Sequence, residues 1–313
     1  MSSRRSFLFI LVAAAVFTSM YYFSTRDEWP PKLNIPWNST IVLTTTNAGF
    51  LDITENMLES ANRTGACYNI IVIAEDDQSY KALSERAKTQ PGLSVRKTNS
   101  GQTTREAMNL NSKAYNQLVN KRPAYVLSYL KRRNRVLFVD GDTYWFHDPL
   151  KDVDWDFDIA LHNEFDEPVQ WFCDGVVYYS PTDNTINLVQ EWAHLLATTE
   201  KKTPDQRVLN KLISKKKIPG LKVKTLKASQ FPDGHRYFRT KGWKEKNSDT
   251  IVVHLSYILG HDTKVNTLKK NGFWVRSQQA RESRGADEGA AAPLAKIMGV
   301  HSTPRGNVPP GKI

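Results

Sequence analysis

Apolar, β-rich segments alternate with helical segments from Ile41 to Val139, and this alternation limits the fold more than any other feature of the chain. Ile41–Thr45, Tyr68–Ala74 and Leu93–Arg96 read as strands, with helices expected at Ile53–Thr64 and Ser79–Lys88 between them. Two further helical stretches, Thr104–Val119 and Pro123–Arg133, precede a strand at Arg135–Val139 that runs directly into Asp140. A β-α-β-α order predicts an α/β fold, a mainly parallel sheet with helices on both faces. In such sheets ligands collect at the carboxyl ends of the strands. The second half is more mixed. Strands are expected near Ile159–His162, Gly175–Tyr179, Val223–Leu226 and Ile251–His254, and helices at Asn184–Thr198, Pro204–Ser214 and Lys264–Asn271. Residues 277–313 lose apolar periodicity and read as a disordered tail.

The N-terminus sets the expected compartment. Arg4 and Arg5 precede a charge-free run from Phe7 to Phe23, which as a helix at ~1.5 Å per residue is about 26 Å long and can just span a bilayer. Arginines on the short side orient that end to the cytosol. The expected organisation is therefore a cytosolic tail (1–6), a signal-anchor transmembrane helix (7–23), a proline-bearing stem (24–39) and a lumenal domain (40–276) of a single-pass type II protein of the Golgi or endoplasmic reticulum membrane. A cleaved signal peptide is the alternative, but Ala13–Ala15 lie too early for a full apolar region before the cut. Sequons at Asn38 and Asn62 fall on the lumenal side. Cys67 and Cys173 could pair there, or Cys173 could be a buried thiol within its apolar segment.

The net charge of +11 raises nucleic acid as a partner, but most of the excess sits between Glu200 and Lys227, a run with no aromatic residue to stack on a base. It reads as a solvated face, and no nucleic acid is expected.

Four Asp-x-Asp pairs occur: 140/142, 152/154, 154/156 and 156/158. Only Asp140 and Asp142 follow a buried-looking strand, Val136–Val139, which would deliver both carboxylates to the sheet's carboxyl edge, where they can hold a divalent cation against a diphosphate. The 152–158 acids alternate with Val, Trp and Phe and read as the exposed side of a loop or edge strand.

The segment VLFVDGDTYWFHDPL resembles the DxD region of the nucleotide-diphospho-sugar transferase domain, the glycosyltransferase 77 group that includes UDP-xylose:L-fucose α-1,3-xylosyltransferase-like proteins. The resemblance extends from about Thr40 to Trp274 through VLTTTNAGFLDITENML, IIVIAEDDQSY, KRPAYVLSYL, FCDGVVYYSP, Asp205-Gln206, FPDG at 231–234 and HLSYILGHDTKVNTLKKNGFW. It implies a GT-A fold, a UDP-sugar donor (xylose, galactose or arabinose), a glycan or glycoprotein acceptor, a divalent metal, manganese or magnesium, and retention at the anomeric carbon. It also implies roles for residues. Asp140, Asp142 and His254 would hold the metal. Thr45, Thr46, Asn47, Asp76, Lys121, Asp140 and Lys264 would face the nucleotide sugar, and Asp174, Asp205 and Gln206 would position the reacting sugar beside the catalytic acids. At 174 the chain departs from the family, where a small or amide residue commonly stands. The alternative reading, from another class, is a catalytically silent lumenal sugar-binding protein on the same fold.

Overall fold

The computed structural model describes residues 39–65, 69–98, 108, 112–165, 168–199 and 203–276. The expected signal-anchor, the stem up to residue 38, the C-terminal tail and Cys67 lie outside the described residues. Within them no helix is long and apolar enough to cross a membrane.

Strands β1 (Thr40–Thr46), β2 (Asn69–Ala74), β3 (Leu93–Lys97), β4 (Arg135–Val139), β6 (Ile159–Asn163), β7 (Phe172–Tyr179) and β8 (Val223–Leu226) form one sheet in the order β3-β2-β1-β4-β7-β6-β8. All run parallel except β7, which is antiparallel to both of its neighbours. The reason for the mixed sheet is the connection into it: β6 and β7 form a hairpin, with Glu164 N–H donating to the Trp171 carbonyl beyond the last strand pair. A second, two-stranded sheet pairs β5 (Thr143–Trp145) with β9 (Val252–His254).

Strand alternation divides the core. Ile41, Leu43, Val136, Phe138, Val177 and Tyr179 face one side, where α4 (Arg122–Leu130), α5 (Asp183–Thr198) and α6 (Asp205–Ser214) cover them with Tyr129, Val126, Leu188, Val189 and Leu209. Val42, Val72, Leu137, Val139, Val176 and Tyr178 face the other side, against Leu51, Met57 and Leu58 of α1 (Leu51–Arg63) and Leu83 of α2 (Asp77–Ala87). Both faces of the sheet are thus apolar, as a doubly covered sheet requires. The expected long helix at Thr104–Val119 is described only as α3 (Lys113–Val119), which Ser112 caps through Tyr115 N–H.

The order of strands positions the site. Successive strands move outward from β1 to β3, and the chain then returns to place β4 on the other side of β1. The crevice at this reversal, at the carboxyl ends of β1 and β4, is where such sheets bind ligands. Asp140 is the first residue after β4. At the opposite edge the basic run is solvated, with Lys211, Lys215, Lys216, Lys217, Lys222 and Lys224 exposed. Of the 152–158 acids, Asp152, Asp154 and Asp156 are exposed, but Asp158 is buried and accepts from Thr182 Oγ1, Lys222 N–H and Asn184 Nδ2 at 2.5, 2.7 and 3.3 Å. It ties α5 to the start of β8 and is no part of an exposed acidic face.

Candidate active site

Asp140 is fixed by its own backbone, whose N–H donates to the Gly175 carbonyl at 2.7 Å. Between the two acids, a Cβ at Gly141 would stand 2.4 Å from Thr54 Oγ1, so a glycine is what lets α1 pack against this turn. The Asp142 backbone carbonyl accepts from Leu255 N–H at 3.0 Å, and Thr143 pairs with His254 across β5 and β9. That small sheet carries a histidine from late in the chain onto the acids. His254 Nε2 lies 3.4 Å from Asp140 Oδ2 and 3.2 Å from Asp142 Oδ1. One ligand atom from each of the three falls within 4.8 Å of the others. Two carboxylate oxygens and an imidazole nitrogen in a recess are a donor set that fits manganese or magnesium better than a thiolate-preferring ion.

The strand opposite leaves little room. A Cβ at Gly175 would meet His254 Cε1 at 2.2 Å and Asp140 Oδ2 at 2.7 Å. The preceding Cys173 is buried and free, its Sγ 3.5 Å from His254 Nδ1. With Nδ1 turned to the thiol, Nε2 is the nitrogen presented to the acids.

Two cations flank the acids. Lys264 Nζ sits 2.7 Å from Asp142 Oδ2 and donates to the Leu255 carbonyl at 2.6 Å. Arg122 Nη2 is 2.9 Å from Asp140 Oδ1, and Nη1 is 3.8 Å from Asp205 Oδ2. At Asp142, His254 and Arg122 burial works against charge, but the partners outweigh it. Lys264 and His254 hold the Asp142 carboxyl far below its ordinary value, Asp142 lifts His254 well above 6.5, and Asp140 and Asp205 lift Arg122 further still. Asp174 goes the other way: burial, reinforced by Asp205, raises its carboxyl well above the ordinary range against the opposing Arg122. Burial also raises Asp205, and Asp174 Oδ2 and Asp205 Oδ2 have no hydrogen-bond partner among the described residues. Tyr115 of α3 stands in the same field, its hydroxyl pushed up by burial.

Several expected residues are thus brought together: Asp140, Asp142, His254 and Lys264 in one cluster, with Asp174 and Asp205 joined to it through Arg122. Others have different work. Thr46 accepts from Thr54 Oγ1 at 2.8 Å and is buried, and Asn47 caps a short 3-10 turn (Ala48–Phe50) through Phe50 N–H. The turn after β1 is therefore internally bonded, and Thr45 is its half-buried strand neighbour. Asp76 caps α2 through Ser79 N–H at 2.9 Å and also accepts from Ala48 N–H at 2.6 Å, so its carboxylate braces that turn. Lys121 is half-buried at the start of α4, where burial lowers its pKa. The adjacent Arg122, which sequence reasoning passed over, is the side chain that reaches Asp140. Gln206 donates its backbone N–H to Asp205 Oδ1.

Asn210 was also missed. It is buried, accepts from Phe172 N–H at 2.7 Å and donates to the Phe172 carbonyl at 2.8 Å, which pins the strand carrying Cys173 and Asp174 to α6. His261 bonds Asp52 Oδ1 at 2.8 Å and lies outside the metal-competent cluster.

A mixed sheet with an Asp-x-Asp turn at the end of β4, beside the strand-order reversal, is the architecture of GT-A glycosyltransferases, and the fold is shared with solved enzymes of that class. The bifunctional glycosyltransferase WbbM aligns with a TM-score of 0.55 at 12% identity, over 81% of this chain and 52% of that one. The galactosyltransferase LgtC aligns with a TM-score of 0.51 at 12% identity, over 79% of this chain and 99% of that one. Residues 65–268 match the nucleotide-diphospho-sugar transferase family, and the chain belongs to it. It is a glycosyltransferase that draws on a nucleotide sugar. Its relatives include UDP-D-xylose:L-fucose alpha-1,3-D-xylosyltransferase 3 of Arabidopsis thaliana, 26% identical over 79% of this chain and 69% of the relative. Another is UDP-galactose:fucoside alpha-3-galactosyltransferase of Dictyostelium discoideum, 22% identical over 76% of this chain and 43% of the relative.

Proposed function

We propose that the protein transfers xylose, with galactose or arabinose as alternative donors, from a UDP-sugar to a fucose-bearing glycan or glycoprotein, with retention at the anomeric carbon. The observation that carries the reading is the convergence of Asp140, Asp142 and His254 from separate elements onto one point at the sheet's carboxyl edge. The acceptor chemistry is taken from the names of both relatives, which specify fucose or a fucoside.

In this reading Asp142 Oδ1, Asp140 Oδ2 and His254 Nε2 hold manganese or magnesium. When bound, the cation stabilises the charge that develops on the diphosphate leaving group. Lys264, already beside Asp142, adds positive charge on the same side, and Arg122 holds Asp140 in place. The buried Asp174 and Asp205 and the half-buried Gln206 orient the reacting sugar through their polar side chains. The bonded turn at Thr45–Asn47, braced by Asp76, forms the floor beneath the nucleotide, with Lys121 nearby. Residues 7–23 would anchor the enzyme in the Golgi or endoplasmic reticulum membrane, residues 24–39 would form the stem, and the domain of residues 40–276 would be lumenal.

The test is UDP release from UDP-xylose, UDP-galactose and UDP-arabinose by the full-length protein, with manganese and with EDTA. Manganese-dependent release from one of them, lost in Asp142→Asn, is the expected result. Equal release with EDTA present would overturn the metal reading. No release and no binding of any UDP-sugar would overturn the donor reading.

A further inference from the structure

Five large apolar side chains stand exposed among the described residues: Tyr80, Phe165, Val169, Tyr257 and Leu259. Four of them fall on two loops, and those loops are tied together, because the Tyr257 hydroxyl donates to Glu164 Oε2 at 3.0 Å. The first loop joins β6 to β7 just before Cys173. Asn163 braces it, donating to the Val169 carbonyl and accepting from Trp171 N–H, each at 2.9 Å. The second leaves β9 at His254 and ends at Gly260, before α7 (His261–Lys270). Both loops therefore spring from residues beside the acidic pair.

Tyr257 has φ 62°, a conformation that residues with side chains rarely adopt. Backbone strain of this kind persists where neighbouring contacts over-determine it, and such positions cluster at ligand sites. Its hydroxyl is bonded while the residue stays 44% exposed, so the ring is held in place and still offered to solvent. Phe165, Val169 and Leu259 are 49, 55 and 63% exposed. Exposed apolar groups carried on two loops that are bonded to each other can together offer a binding surface. Glu164 stands on this rim, and Arg236 at the base of the second loop is already engaged by Asp233 at 2.7 Å, whereas Lys264 and Arg122 supply positive charge at the acidic pair, so the diphosphate of the donor is better served there. A neutral sugar with an apolar face suits this rim.

We propose that Phe165, Val169, Tyr257 and Leu259 form the acceptor platform and select a deoxy sugar by packing its methyl group and C–H face. This rests on the transferase reading above, and it assigns residues and a selection rule that the reading lacks. Burying one methyl group is worth about fourfold in affinity.

The experiment uses the full-length protein with manganese, UDP-xylose and UDP-galactose in parallel, and two acceptors that differ only at C6: methyl α-L-fucoside and methyl α-L-galactoside. The wild type should favour the fucoside at least about fourfold in kcat/KM, in line with one buried methyl. In Phe165→Ser/Leu259→Ser, whose sites are too exposed to threaten folding, the fucoside KM should rise about tenfold and the preference should collapse. Donor KM and slow donor hydrolysis without acceptor are the controls and should stay near wild type. An unchanged fucoside KM in the double variant overturns the proposal, as does a wild type that hydrolyses donor yet prefers the galactoside. A variant that keeps its fucoside KM but loses self-association on size exclusion, or retention on phosphatidylcholine vesicles, would assign the rim to a second copy or a membrane instead. A wild type that neither binds nor hydrolyses either donor removes the transferase reading and this proposal with it.

Discussion

Gly175→Ala is the smallest change that should dismantle the site. The added Cβ would lie 2.2 Å from His254 Cε1 and 2.7 Å from Asp140 Oδ2. Carbon pairs rest at about 3.5–4.0 Å, so the imidazole or the strand must retreat by about 1.3 Å or more. Neither has an easy path, since β7 is paired on both sides and His254 is held between the β5 ladder and Cys173. Overpacking of this kind costs about 1–3 kcal/mol of stability. A displacement of about 1 Å in a catalytic group lowers turnover by about 10²-fold, or ~2.7 kcal/mol of transition-state stabilisation. Three measurements on one preparation suffice: denaturant unfolding, UDP release under saturating donor, and manganese titration by water-proton relaxation. The expected result is a folded protein with weakened manganese binding and turnover down about a hundredfold. Turnover within about threefold of wild type and an unchanged manganese titration would refute the reasoning, because His254 and Asp140 could not then be poised as ligands at this spacing.

Asp142→Asn removes the charge that Lys264 Nζ and His254 Nε2 approach at 2.7 and 3.2 Å, so activity should fall more than about tenfold, ~1.4 kcal/mol or more, and urea unfolding should show some loss of stability as those two side chains lose a partner; retained turnover would move the cation elsewhere. Asn210→Ala leaves both backbone groups of Phe172 without partners and should cost about 2–4 kcal/mol of stability in urea unfolding, with donor KM affected through Asp174. The acids raise the His254 pKa above its ordinary 6.5, so the stability that protonated His254 gives the metal-free protein is complete below pH 6.5 and is lost as pH rises through the raised value. Because a ligating imidazole must be neutral, manganese affinity should keep climbing with pH above 6.5, and His254→Ala should flatten that climb in a calorimetric titration at several pH values.

Much of this was legible in the chain itself. β1 to β4 follow from local pattern, since near-continuous apolar runs such as Ile70–Ala74 and Val136–Val139 suit a strand covered on both faces. The position of Asp140 and Asp142 was legible too, because the strand before them is apolar and delivers both acids to the sheet's carboxyl edge. Asp158 shows the limit of that reasoning. It looked like its solvated neighbours, and only the approach of Lys222 N–H and Thr182 turned it into a buried brace.

What the tertiary structure alone decided is which side chain meets which. Lys121 and Arg122 are indistinguishable as neighbouring cations in the sequence, yet a helix turns successive residues about 100° apart, so the direction in which α4 docks sends Arg122 to Asp140. Asp76 reads as an acid at a strand end until the β1 turn comes close enough to use it as a brace. The reversal of β7 and the pairing of β5 with β9 depend on contacts between segments far apart in the chain, which no local pattern encodes. Sequence fixes the direction of a side chain relative to its own strand or helix. The Asp140–Asp142–His254 cluster exists because separate elements, each with its own local logic, were packed so that those directions converge.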